Sequence, residues 1–248
     1  KDKVESNACT APSLKTAGST DSMSKTRAKA ADYDIGTRSI IQTAIGIYCA
    51  TLLSNDPYAP PVKELEWAKA AWGLACDHHE VKTPHDAVVL KLITARTSHL
   101  RGQFKSKAHP AVAAVYGFDT TADANVVEHN RALFLKLKQD SAFIFRCHGD
   151  ILDDHTGIYM TPAIQQVINA VLFKNKGDDG IQWTKYYNPF PVQGFALTIT
   201  AIECAINEWE TGVCEMIIFK EHEYSGIFRS HLASLDEFDT MTASIELL

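Results

Sequence analysis

Nothing in this chain approaches the roughly 20 consecutive apolar residues of a membrane-spanning helix, because charge interrupts each candidate run within a few turns. A soluble protein with no membrane partner is expected. No secretory signal pattern opens the sequence, and Lys1 in place of Met fits a processed chain. The six cysteines, Cys9, Cys49, Cys76, Cys147, Cys204 and Cys214, lie far apart with no C-x-x-C pair. That excludes the usual zinc spacing and the dense disulfide framework of small secreted domains. Reduced thiols and the lack of any Asn-x-Ser/Thr sequon together indicate an intracellular protein, cytoplasmic or nuclear. Also missing are H-E-x-x-H, G-x-S-x-G and the glycine-rich phosphate loops, so no residue is assigned a catalytic role.

What is present is ordinary globular material: 248 residues, 46% hydrophobic and 22% charged, with a net charge of −6. Residues 1–31 are the exception. They are rich in Ser, Thr, Ala and Lys with few large apolar side chains, which predicts a polar tail that is flexible or held by a partner. Residues 32–248 should then form a single helical domain.

The strongest periodic signal lies between Asn188 and Leu235. Phe195, Ile199, Ile202, Ile206 and Trp209 recur at steps of three and four, as do Tyr224, Ile227, Phe228, His231, Leu232 and Leu235. Two amphipathic helices joined around Gly212–Phe219 should therefore pack as a hairpin and form the core. Further helices are predicted over 37–53, 62–76, 84–107, 126–145 and 161–173. Thr83 and Pro84 read as the cap and first residue of the third, while His109-Pro110 should break the chain beyond it. Six to seven helices without a convincing strand make the fold all-α.

A resemblance rests on the order of features from Thr161 onward. It comprises Thr161-Pro162, the aromatic-proline segment Tyr187-Asn188-Pro189-Phe190, Ala201-Ile202-Glu203-Cys204-Ala205-Ile206, Glu208-Trp209-Glu210-Thr211-Gly212, then Phe219, Tyr224 and His231-Leu232. Mainly over residues 161–235, the chain resembles the domain-of-unknown-function family six-five-three-two that is expanded in mushroom-forming fungi. The resemblance implies a fungal intracellular helical domain and brings no catalytic residue.

Three readings of function follow from the polar residues. The segment after Asp86 holds no acid before Asp119, while Lys91, Arg96, Arg101, Lys105 and Lys107 leave it basic; a nucleic-acid or protein partner could bind there. From Glu203 to the C-terminus ten acids face only Lys220 and Arg229, so basic and acidic surfaces should meet, within one subunit or between subunits of a homo-oligomer. A non-enzymatic, self-associating helical module is the leading expectation, and nucleic-acid association is the alternative. The third reading is a metal-dependent enzyme: His148, Asp150, Asp153, Asp154 and His155 offer imidazole and carboxylate ligands for a divalent metal, with a polar inter-helix loop as the competing reading. No other cofactor is expected. His78-His79-Glu80 fits a helix C-terminus, His231 a hydrogen-bonded core histidine, and Glu203 and Glu208 should flank the apolar stripe and reach solvent.

Overall fold

The computed structural model describes residues 29–246, and apart from residues 29–31 the expected tail lies outside them. The described chain is all-α, with one small antiparallel ribbon. It divides into two compact units, the first reaching Cys49 and resuming over Pro60–Arg96, the second made of Ala50–Ala59 and everything from Thr97.

Helix α1 (Ile35–Asn55) starts where the Asp34 carboxylate accepts the Thr37 N–H at 3.0 Å, satisfying one of the donors a helix start leaves open. In the first unit it is followed by α2 (Pro61–His78), whose Ala68, Ala71, Trp72, Ala75 and Cys76 are buried at helical spacing. His79, just past α2, hydrogen-bonds Thr43 of α1 at 2.9 Å. The next helix, α3 (Ala87–Thr94), begins later than the Thr83-Pro84 reading suggests. Asp86 is its cap, accepting from Val89 N–H at 2.6 Å, while the Thr83 carbonyl accepts the Trp72 indole N–H at 2.8 Å.

One expected helix over 84–107 is in fact two, because the chain turns at Ala95 before α4 (Arg96–Tyr116). Nor does Pro110 end α4. A proline removes one ladder donor, here the partner of the Ser106 carbonyl, and Ser106 is exposed so that water can replace it. In the second unit α5 (Ala124–Lys138) is capped by Asp123 and stops short of the expected 145. Asp140 and Ser141 take left-handed φ of 48° and 54°, which breaks the ladder, so Phe143 and Ile144 are buried from a tight turn. β1 (Phe145–Cys147) then pairs with β2 (Thr156–Ile158), Phe145 opposite Ile158.

After α6 (Pro162–Leu172) and the short α7 (Asp179–Gln182) comes α8 (Val192–Asn207), the centre of the second unit. It packs against α9 (Glu221–Glu246), α6 and α5. The expected hairpin is present, but α8 is buried around its whole circumference. Every residue over 196–202 is buried. Ala196, Thr198 and Thr200 fill the faces that large side chains do not, and both threonine hydroxyls donate back to carbonyls one turn earlier, to Gly194 at 2.8 Å and Ala196 at 2.7 Å. Trp209, in the turn after α8, stacks on Phe118 with centroids 4.8 Å apart. That turn needs Gly212: its φ is 86°, and a Cβ there would sit 2.2 Å from the Val127 carbonyl oxygen. Buried Asn130 donates to the Gly212 carbonyl at 2.9 Å and locks the turn against α5.

Candidate functional site

The end of α8 carries Glu208, and its carboxylate is 1% exposed. Lys105 Nζ and the Ile217 N–H (3.0 Å) both donate to Oε1, while Oε2 meets His109 Nδ1 at 2.6 Å. Lys105 and His109 are four residues apart on α4, hence on one face, which is why a single buried carboxylate meets both. Burial by itself would raise the Glu208 pKa, but the Lys105 and His109 hydrogen bonds outweigh it and keep the group below the ordinary value. Cys214 completes the cluster. One ligand atom each from His109, Glu208 and Cys214 lie within 4.8 Å of one another, and this is the one such three-residue group among the described residues. Burial, then the neighbouring Glu208 charge, pushes the Cys214 thiol up.

A second, half-buried carboxylate follows the same plan. Glu203 of α8 accepts from Lys138 of α5 and meets His231 Nε2 of α9 at 2.6 Å. Burial raises its pKa, yet these two partners more than compensate and bring it to about 2. His231 is the hydrogen-bonded core histidine its helical position implies. The expectation that Glu203 and Glu208 reach solvent is corrected: the middle and end of α8 are packed on nearly all sides, so both carboxylates turn onto cations, Glu208 fully and Glu203 with 15% of its side chain left exposed.

The five basic residues separate. Lys91 is exposed and Arg96 half-buried, both in the first unit. In the second unit Lys107 is exposed, whereas Arg101 and Lys105 are buried. Arg101 pairs with Glu221 at 2.7 Å, donates to the Pro57 carbonyl at 2.7 Å and lies over the Tyr58 ring. Arg101 and Lys105 are therefore corrected from surface cations to internal ones. Within the second unit each pairs with one of the ten C-terminal acids, Arg101 with Glu221 and Lys105 with Glu208.

The 148–155 segment is the tip of the β1–β2 ribbon. Asp150 is exposed and pairs with Lys136 at 2.7 Å; Asp153 and Asp154 are exposed in a short 3-10 turn. His148 and His155 are half-buried, and the Nδ1 of each has no hydrogen-bond partner among the described residues. His148 is held below its ordinary pKa by burial, then by the Lys136 and His155 charges. The tip and α5 line a shallow polar hollow with room for about one water, bordered by Lys136, Asp150 and His155 among others. The five residues do not supply the three-ligand convergence found at Glu208.

Sequence reasoning missed the role of residues 213–219. This connection from α8 to α9 is irregular but fixed, through the Glu215 N–H to the Glu208 carbonyl at 2.7 Å, Ile217 N–H to Oε1, and the Phe219 ring 4.7 Å from Tyr224. It leaves Val213 51% exposed and Met216 and Ile218 each 70% exposed. The apolar run Met216-Ile217-Ile218-Phe219 beside a glycine turn was the available signal.

A family model matches residues 43–238, well over half of the chain and covering α8, the connection and most of α9. The chain belongs to the family described as a domain of unknown function, DUF6532. The match extends upstream of the segment that carries the sequence resemblance, so α4 with Lys105 and His109 belongs to the same family domain as Glu208 and Cys214. Searches of curated proteins and of solved structures found no match to the chain. No helix among the described residues is long and apolar enough to cross a membrane.

Proposed function

We propose that the protein is a non-enzymatic, intracellular fungal interaction module that self-associates through the connection between α8 and α9. The observation that carries this reading is the apolar strip of Val213, Met216 and Ile218, solvent-facing yet held in place from behind by Glu208. A fixed segment loses little freedom on binding, so its apolar area converts more fully into affinity.

A second copy is the partner that suits it. Met216 and Ile218 straddle Ile217, and antiparallel pairing about a two-fold axis at Ile217 sets Met216 of one copy against Ile218 of the other. Glu215 then falls opposite Phe219, and no like charges face each other. The strip also replaces surface charge as the motive for assembly, because Lys105, Arg101 and Lys138 already have carboxylate partners. The nucleic-acid alternative keeps Lys91, Arg96 and Lys107 and loses Arg101 and Lys105.

Light scattering on gel-filtered protein at low and high salt tests the proposal. The expected result is a dimer that persists at high salt and becomes a monomer in Met216→Asp/Ile218→Asp, with unchanged helix content. A monomer at both salts, or a dimer indifferent to the two substitutions, would overturn it.

A further inference from the structure

We propose that His109, Glu208 and Cys214 form a binding site for a thiophilic divalent cation of the zinc class. The three bring an imidazole, a carboxylate and a thiol, the donor types zinc takes, from α4, the end of α8 and the connection after it. Their ligand atoms lie within 4.8 Å of one another, close to the separations of about 3.5 Å that bonds of about 2.0–2.3 Å impose around a tetrahedral ion. Seating the ion parts His109 Nδ1 and Glu208 Oε2, now 2.6 Å apart, by roughly 1 Å. His109 sits at the surface side of the cluster with a third of its side chain exposed, and Cys214 is half-buried, so both can shift and the ion has a way in.

The environment of the carboxylate supports the assignment. Lys105 and the Ile217 N–H both hold Oε1, which leaves Oε2 as the oxygen turned towards His109. Outer-shell donors on the second oxygen of a ligating carboxylate are how metal sites fix that ligand. Charge does not forbid the ion beside Lys105: a dication and Lys105 against the Glu208 carboxylate and a Cys214 thiolate leave one positive charge. Water or an anion entering past His109 takes the fourth position. On uptake the Cys214 thiol proton leaves to solvent, the His109 Nδ1 proton shared with Glu208 passes through solvent to Nε2, and the freed Nδ1 and Oε2 each bond the metal. The site shares Glu208 and the connection with the apolar strip, but metal uptake is read within one chain, so self-association could fail while the site still binds.

The test uses the full chain, stripped with chelator and titrated with cobalt(II) as a spectroscopic stand-in for zinc. We expect a thiolate-to-cobalt charge-transfer band that saturates at a single ion per chain and is reversed by zinc. It should vanish in Cys214→Ser, survive in Cys147→Ser, which removes the one exposed thiol among the described residues, and need about ten-fold more cobalt or worse in His109→Ala. No band in the unaltered chain, or a band that persists in Cys214→Ser, overturns the proposal. If Cys214→Ser folds poorly, alkylation of the unaltered chain decides: zinc must protect Cys214 selectively, and equal labelling of Cys214 with and without zinc overturns the site.

Discussion

The ribbon tip at 148–155 and the end of α8 hold the same chemistry, histidines beside carboxylates, and differ in how it is assembled. At the tip, five such residues crowd into eight positions, yet Asp153 and Asp154 are exposed and Asp150, also exposed, turns to Lys136. At α8, residues 109, 208 and 214 meet because Lys105 and His109 of α4 both reach the buried Glu208 carboxylate at the helix end. Density along a sequence therefore says little about convergence in space. Packing says more, since only a buried carboxylate must recruit its partners to offset the loss of water.

Breaking the α8 cluster should have the largest effect. Lys105→Met leaves Glu208 buried with one cation fewer and should cost about 3–5 kcal/mol in urea unfolding. A loss comparable to that of an exposed pair would mean that Glu208 is wetter than described. The ring beside it comes next: Trp209→Ala removes a 1% exposed indole stacked on Phe118 and should cost about 3–5 kcal/mol, while Phe195→Ala, at a half-buried site, should cost clearly less. Equal losses at the two positions would show that the end of α8 is no better packed than its start.

Acid unfolding sharpens the comparison further. Glu203 titrates at about 2 in the folded chain against an ordinary 4.5, so its folded pKa is depressed. The stability it contributes is present above pH 4.5 and is lost as pH falls towards 2. The contribution is at most about 3 kcal/mol at neutral pH. Glu203→Gln should therefore flatten the stability profile between those values, and an unchanged acid limb would contradict the pairing with Lys138 and His231. The smallest effect belongs to the ribbon tip. Lys136→Met, which removes the cation at exposed Asp150, should leave the thermal midpoint unmoved, and a measurable drop would show that the tip is more tightly held than its exposure implies.

Much of the fold was legible in the sequence. The three-four spacing located α1, α2, α6 and the α8–α9 hairpin, and the position of His231 on the packing face of α9 anticipated its partner in the core. Four things were not legible, each for a physical reason. A stripe of Ile and Trp marks one face of α8, but Ala196, Thr198 and Thr200 look neutral to periodicity although they are buried, so the helix read as half-exposed and Glu208 was sent outward. Pro110 read as a stop, because sequence does not show that the carbonyl it strands faces water. The basic segment read as one surface, because the carboxylates that take up Arg101 and Lys105 lie about a hundred positions away. The connection at 213–219 has neither a helical nor a strand period, so its apolar run after Gly212 did not show which side chains would face outward.

That the buried Lys105–Glu208 pair holds the α8–α9 connection in place through the Ile217 N–H can be measured with a double-mutant cycle. Stability is measured for the unaltered chain, Lys105→Met, Glu208→Gln and the pair together. The account predicts a coupling energy of about 2 kcal/mol or more, with the double variant more stable than Lys105→Met alone. Additive losses with coupling near zero would contradict it.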